Sequence, residues 1–447
     1  MTNTKDRLRS AKLPAQILRN AGHSAYIVGG AVRDMVMGNE IHDIDLATDA
    51  EPHEVFMIFD SMGYTVKPIG LEFGTVLVYG KDLDEEFEIT TFRKDGEYSD
   101  GRHPDDVEFT HTILEDLARR DLTINAMAYN PLEEIIIDPF GGQEDIKNRV
   151  LKAVGHSYLR FEEDALRMLR LARFAGKTGF SIEFHTELNA RLLADNILDI
   201  SIERVKAEMD KMMELPNTGR CIFVMHQIGL LENVLPEVAA TVGAEQPKKW
   251  HEFDVFNHTL KVLSNVEGKN LKYAALFHDI GKQKMRKSSP YFPRHEYKSY
   301  KMFLKIARRL KFSNRDRDEI AFLIKQHMDF KSWAHSEKSM RKYLNKHSNM
   351  FVEDLFKLLK ADVIGTGRKD PERLYHLEGW EEVFHLVNNR QPVNLKNLKV
   401  NGNDLIAAGV PKSHRISEIL NILMQEVIQD PTRNNRAYLL ERVGSLI

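Results

Sequence analysis

The stretch AYIVGGAVRDMVMGNEIHDIDLAT, residues 25 to 48, leaves the chain few ways to fold. AYIV is β-branched and aromatic and reads as a strand. Gly29 and Gly30 make a turn, AVRDMV opens a helix, and HDIDLAT is a second short strand. A strand, a helix and a strand this close together make a small α/β unit. Asp43 and Asp45 are two residues apart, so on a strand they point to one face. Two carboxylates side by side repel unless a cation lies between them, and hard oxygen ligands suit Mg²⁺. The paired glycines let backbone approach a phosphate, and Arg33 can neutralise it. An acidic pair can also simply cap a turn. A glycine turn, a helix and then Asp-x-Asp within 17 residues, Gly29 to Asp45, is a far more particular arrangement.

The segments that follow extend the same unit. GTVLVYG and EFEITTF alternate as hairpin strands around KDLDE, and IIIDPFGG closes the region with a strand and a Pro/Gly break. RKDGEYSDGRHPDD, between them, is polar and turn-rich and reads as a mobile loop. From about residue 150 the periodicity turns helical and stays so. The expected class is α+β: a small mixed α/β head over 1–150, a helical neck and body over 151–245, a further helical domain over 246–365, and a helical tail over 366–447. GAEQPKKW, 243 to 250, reads as a linker.

Composition narrows the setting. The single cysteine, Cys221, excludes an intrachain disulfide and a Cys-based zinc site. No apolar run approaches a membrane span, and no secretory leader is evident, so a cytoplasmic protein is expected. The net charge of −3 does not announce a nucleic-acid binder. Residues 282 to 317 nevertheless hold thirteen Lys/Arg against only Glu296 and Asp316, with tyrosines and phenylalanines interleaved. That is either a phosphate-tracking surface or a solvated helix face.

Five motifs in order, GGAVRD with HDID, GTVLV at 74–78, RRDLTINAMA at 119–128, EDALRMLRLARF at 163–174 and ERVKAEM at 203–209, resemble the class II tRNA nucleotidyltransferases, which include CCA-adding enzymes and bacterial poly(A) polymerases. The resemblance implies that Gly30 and Arg33 contact the nucleotide and that Asp43 and Asp45 are the catalytic, Mg²⁺-binding pair. It implies that Arg120 meets ribose or phosphates, and that Asp121 and Asn125 hold that segment. Glu203 and Arg204 match a helix that braces the site. Glu86 and Glu88 are candidates by position for a third carboxylate. The implied substrates are CTP, ATP and the 3′ end of tRNA.

EEDALRMLRLAR carries Asp164, Arg167, Arg170 and Arg173 at three-residue intervals. An ionised Asp only accepts and an Arg only donates. Side by side, Asp164 and Arg167 match the amino donor and ring-nitrogen acceptor common to cytosine and adenine, and they refuse guanine and uracil. Successive i+3 steps drift around a helix, so Arg170 is expected near the triphosphate or Asp164, and Arg173 nearly opposite. The match at GLEFGTVLV is to the tRNA enzymes rather than the poly(A) polymerases. FRKDGEYSDGRHPD, with Arg93, Asp100 and Arg102, is too complete for a CC-only enzyme. The order of expectation is full CCA addition, then A addition, then poly(A) synthesis.

The later half holds His258, the adjacent pair His278–Asp279, His295, His327 and Asp362. This order resembles the HD superfamily of metal phosphohydrolases. The resemblance implies that His258, His278, Asp279 and Asp362 hold a divalent transition metal, with His295 and His327 serving a second metal or a phosphate, and Lys282 within reach of a phosphate oxygen. A different-class reading makes this half the working phosphohydrolase and the head an RNA-binding module.

Overall fold

The computed structural model describes residues 4–70, 74–80, 82–95, 107–283, 292–329, 336–347 and 350–447. It divides into two compact units, Met1–Pro236 and Glu237–Ile447.

The first unit opens with a seven-stranded sheet. Its strands are β1 (Ala25–Val28), β2 (Asp45–Thr48), β3 (Thr65–Gly70), β4 (Thr75–Tyr79), β5 (Phe87–Thr91), β8 (Ala128–Asn130) and β9 (Ile135–Ile137). Their order is β3-β4-β5-β2-β1-β8-β9. Only β2 and β5 pair in parallel. A separate ribbon, β6 (Arg93–Asp95) with β7 (Val107–Phe109), flanks the long polar segment. Asp100 and Arg102 lie outside the described residues.

The strand alternation does what the sequence suggests. In β5, Phe87, Ile89 and Thr91 are buried while Glu88 stays exposed. Val28, Ala47, Phe92, Ile113, Leu117 and Ala128 form a core against which Tyr26, Ile137 and Phe140 pack.

The helical part of this unit departs from expectation at one place that matters. EEDALRMLRLAR is not one helix. Ser157–Glu163 ends at Asp164, whose backbone is extended (φ −145°, ψ 102°), and a new helix runs from Leu166 to Thr178. A two-stranded parallel bridge, Val150–Leu151 with Ser181–Ile182, also interrupts the all-helical pattern; among the described residues no strand follows it. Leu166–Thr178 packs on Ile202–Glu214 and Thr218–Gln227 and buries Met168, Leu169, Leu171, Ala172 and Ala175.

The second unit is helical throughout its described residues. Val255–Leu263, Lys269–Phe277, His295–Arg309, Asn314–Asp329 and Val352–Gly365 pack together, and Pro371–Arg390 lies against the last of these. Leu398, Val400, Leu405, Ile419, Leu423, Val427, Leu439 and Val443 make a separate core near the C-terminal end. The segment 243–250, expected as a linker, belongs to this unit and contributes Gln246, Pro247 and Trp250 to a cavity there.

Candidate functional site

The sheet register assembles the first site. Val28 pairs with Asp45, and Asp45 pairs with Glu88. The glycine turn after β1, the first residue of β2 and the second residue of β5 therefore lie in a row. Asp43 precedes β2 in irregular chain rather than sharing its strand. The mass of protein around Asp45 holds its pKa above the ordinary value; Glu88 raises it further, Arg120 opposes, and Asp43 adds to the rise. Crowded acids of this kind are what a divalent cation relieves, and Glu88 is the third carboxylate the register supplies. Glu86 precedes β5.

Gly29 has φ +71°, and a Cβ there would sit 3.1 Å from Arg120 Nη1. Only glycine allows both the turn and that approach. Arg120 donates to Asp116 Oδ2 at 3.0 Å, while its buried Nε has no partner. Among the described residues Nη1, the atom over the glycine turn, is held only by the Asn125 carbonyl at 3.5 Å, so a guanidinium charge stands where an anionic ligand would fit. Asp116 was not singled out from the sequence; it is 1% exposed and serves both Arg119 and Arg120, which lower its pKa against the effect of burial.

Arg33 is buried rather than reaching outward. It donates to Asn125 Oδ1 at 2.7 Å and grips Asp34 through Nε and Nη2 at 3.0 and 2.7 Å. Gly30 opens the helix beside it, and a Cβ there would lie 3.6 Å from Arg33 Nη2. Asn125 Nδ2 donates to Asp121 Oδ1 at 3.1 Å, and Arg170 Nε donates to Asp121 Oδ2 at 2.7 Å. Burial would raise Asp121, but Arg170, Asn125 and the Leu122 amide outweigh it and bring the pKa down to about 2. Arg33, Asn125, Asp121 and Arg170 thus form one chain of charge-assisted bonds joining three sequence motifs.

Asp164 and Arg167 are not the side-by-side pair that helical spacing suggests. Asp164 Oδ1 accepts from the Leu166 amide at 3.0 Å, and Oδ2 accepts from Arg204 Nη2 at 2.8 Å. Arg167 is buried; it donates to Glu163 at 2.6 Å and to the carbonyls of Arg160 and Arg119 at 3.0 Å each. Arg173 turns away to Glu208 at 2.7 Å, with its guanidinium over the Phe174 ring. Each carboxylate oxygen of Asp164 keeps a lone pair beyond these bonds, so acceptor capacity remains.

The second unit brings all six singled-out His/Asp residues together. His258, His278 and Asp362 converge, as do Asp279, His295 and His327. His258 Nε2 lies 3.1 Å from Asp362 Oδ1 and 3.3 Å from His278 Nε2. Asp279 is shared: Oδ2 is 3.2 Å from His278 Nε2, and Oδ1 is 3.2 Å from His295 Nε2. The rings are oriented from behind. His278, His295 and His327 place Nδ1 at 2.7, 3.0 and 2.7 Å from the carbonyls of Ala275, Phe292 and Ile324. A carbonyl only accepts, so Nδ1 carries the proton and Nε2 presents a lone pair. His295 and His327 then aim two lone pairs at each other across 3.2 Å. Burial holds His327 near pKa 3, which disfavours a proton as the remedy; a metal cation fits.

Gly281 makes this packing possible, because a Cβ there would sit 2.5 Å from the His295 carbonyl oxygen. Lys282 Nζ donates to Asp279 Oδ2 at 2.6 Å and to Gln246 Oε1 at 2.9 Å. The cluster floors a cavity of about 510 Å³ whose wall includes His251, Arg294 and Arg373, none of which the sequence reading singled out. In the basic region, residues 284–291 lie outside the described residues. His295–Arg309 buries Ser299, Phe303, Ile306 and Ala307 and leaves Lys298 and Lys301 on the other side, with Lys301 over the Tyr297 ring.

A mixed sheet that sets paired carboxylates beside a glycine turn, under an arginine, fits a nucleotidyltransferase head. Residues 25–152 match the poly A polymerase head domain, 179–241 the probable RNA and SrmB-binding site of polymerase A, and 301–443 the putative tRNA nucleotidyltransferase domain 2. Residues 25–152 are thus similar to a nucleotidyltransferase head domain of the poly A polymerase type, a likeness that implies dependence on a divalent metal. The chain is 42% identical over 234 residues to the CCA-adding enzyme of Anoxybacillus flavithermus, covering 52% of this chain and 57% of that one. It is 48% identical over 193 residues to that of Lactococcus lactis subsp. cremoris, covering 43% and 47%. The chain thus spans about half the length of the curated relatives it matches. The solved CCA-adding enzyme of Bacillus stearothermophilus in complex with CTP is 28% identical, with a TM-score of 0.72 over 99% of this chain and 98% of that one.

Proposed function

We propose that the protein adds the CCA terminus to the 3′ end of tRNA from CTP and ATP, without a nucleic-acid template and with Mg²⁺. The observation that carries this reading is the row formed by the Gly29 turn, Asp45 and Glu88, with Arg120 above it. Asp43, Asp45 and Glu88 supply the oxygen ligands. A bound divalent cation would lower the pKa of the attacking hydroxyl and stabilise the charge on the leaving pyrophosphate. The 3′ oxygen of the tRNA forms a bond to the α-phosphorus as the bond to pyrophosphate breaks. Arg120, whose Nη1 lies over the turn, neutralises phosphate oxygens, and the glycine turn admits them. Arg33, Asn125, Asp121 and Arg170 keep these parts in register. Asp164, fixed by Arg204 and the Leu166 amide, presents acceptors to the amino group shared by cytosine and adenine. Arg167, held by Glu163 and by the Arg160 and Arg119 carbonyls, ties the helix break at Asp164 to the segment that carries Arg120. A-only addition is the nearest alternative.

We assign the head to 1–150, the neck and body to 151–245, the second-site domain to 246–365 and the tail to 366–447. Among the described residues no helix is long and apolar enough to cross a membrane. The protein has a single, buried cysteine, and we propose the cytoplasm as its compartment. The test supplies each NTP singly, to tRNA lacking its last three residues and to tRNA lacking only the last. CTP and ATP should be incorporated and UTP and GTP refused; incorporation of all four, or of none, would contradict the proposal.

A second reading is favoured by the lone pairs of His295 and His327 that face each other across 3.2 Å. We propose that the His258, His278, Asp279, Asp362, His295 and His327 cluster holds divalent transition metal and hydrolyses phosphate esters, adding water across the P–O bond. Asp279→Ala should abolish metal-dependent phosphatase activity and leave nucleotide addition intact; persistence of the hydrolysis would sink this reading.

A further inference from the structure

The cavity over the second cluster is lined by three cationic side chains, Lys282, Arg294 and Arg373. They are not equivalent. Lys282 is buried and spends its donors on Asp279 and Gln246. Arg373, in the first turn of Pro371–Arg390, places Nη2 3.5 Å from the outer oxygen of Asp362, an ion pair longer than a hydrogen bond. Among the described residues its guanidinium donates to nothing closer. Arg294 is exposed, immediately before His295, with φ +60° and ψ +31°. That left-handed backbone costs a non-glycine residue about 1 kcal/mol or more, and such strain gathers where a side chain must be aimed. Two guanidiniums with donors to spare therefore face a cavity floored by imidazoles and carboxylates.

We infer that Arg294 and Arg373 are the specificity-determining pair of this second site, and that they select a terminal phosphomonoester over an internal phosphodiester. The inference rests on the metal-site reading given above. A monoester presents three non-bridging oxygens and a dianion; a diester presents two and a single charge. Guanidinium forks match the planar edge of two phosphate oxygens. The carboxylates in the wall are Asp279, Glu296, Asp362 and Asp370, one more than the cations. Cations held by the histidines would reverse that balance, so a dianion gains more than a monoanion on entering. Asp370 is occupied in capping its own helix by accepting from the Arg373 amide at 3.0 Å, which leaves it a weak competitor for the guanidinium.

The experiment uses the full chain in an Asp45→Asn background, which removes the head's cation site. Mn²⁺ is titrated calorimetrically, then methyl phosphate and dimethyl phosphate. The parent should bind Mn²⁺ and prefer methyl phosphate. Arg373→Gln and Arg294→Gln should each weaken methyl phosphate by about 10- to 100-fold, the value of a charge-assisted bond, while dimethyl phosphate and Mn²⁺ binding hold. Arg373→Lys, which keeps charge without the fork, should recover only part of the preference. An unchanged monoester preference in both glutamine variants, with Mn²⁺ retained, would overturn the selecting role alone. So would loss of Mn²⁺ in Arg373→Gln with Arg294→Gln unaffected, which would make Arg373 a brace for Asp362. Absence of Mn²⁺ binding in the parent would instead remove the metal-site reading on which the inference stands.

Discussion

Arg204 Nη2 donates to Asp164 Oδ2 at 2.8 Å, so a carboxylate at the break between two helices is held by a side chain from a third. This bond fixes an acceptor that helical geometry alone would not place. Asp164→Ala should relax base choice by about 10- to 100-fold, the worth of a good base-edge contact, with little change in triphosphate affinity. Arg204→Ala should relax it less and in the same direction. Misincorporation of GMP and UMP into truncated tRNA measures both; unaltered exclusion in Asp164→Ala would refute the role of this carboxylate.

Glu88 stands opposite Asp45 in the parallel ladder and helps raise the Asp45 pKa. Glu88→Gln keeps the shape and removes a charge. Transfer should fall by about 10²-fold or more, and the Mg²⁺ concentration for half-maximal rate should rise, because several kcal/mol of transition-state charge stabilisation pass through such ligands. An unchanged Mg²⁺ requirement would limit the cation site to Asp43 and Asp45.

Asp121 carries a definite pH signature. Its folded pKa of about 2 lies below the ordinary value of 3.8, so the group contributes stability above the unfolded pKa and loses it as pH falls toward the folded value. The difference corresponds to about 2 kcal/mol, confined to the window between roughly pH 4 and pH 2. Asp121→Asn should lower the thermal midpoint at neutral pH and flatten that acid limb. Parallel acid limbs in variant and parent would show that the Arg170 pair adds nothing net.

The second cluster should be a metal-binding site before it is anything else. Mn²⁺ or Ni²⁺ at 100 times its Kd should stabilise the protein by about 2.7 kcal/mol through mass action. In an Asp45→Asn background His278→Ala should abolish that gain, and with the head unaltered it should leave CTP and ATP addition intact. A thermal shift that survives His278→Ala would place the metal elsewhere.

Much of this was legible in residues 25 to 48, where β-branched runs, paired glycines and Asp-x-Asp fix a strand, a turn and the acidic site. The histidine cluster was legible too, since His278–Asp279 and its flanking partners fall on helices that must converge. The break at Asp164 was not. EEDALRML has good helix formers throughout, and the interruption depends on tertiary bonds to Arg204 and a local cap to Leu166. Arg33 likewise reads as a phosphate ligand, yet Asn125, far along the chain, claims it. The sharing of Asp279 between two histidine sets, and the placement of Arg294 and Arg373, depend on contacts between helices and leave no local trace.

Product length decides the main reading. Transfer RNA ending at the residue before CCA, given CTP and ATP together, should gain three residues, C, C and A, and then stop. Long adenylate tails, or no extension with Mg²⁺ present, would contradict it.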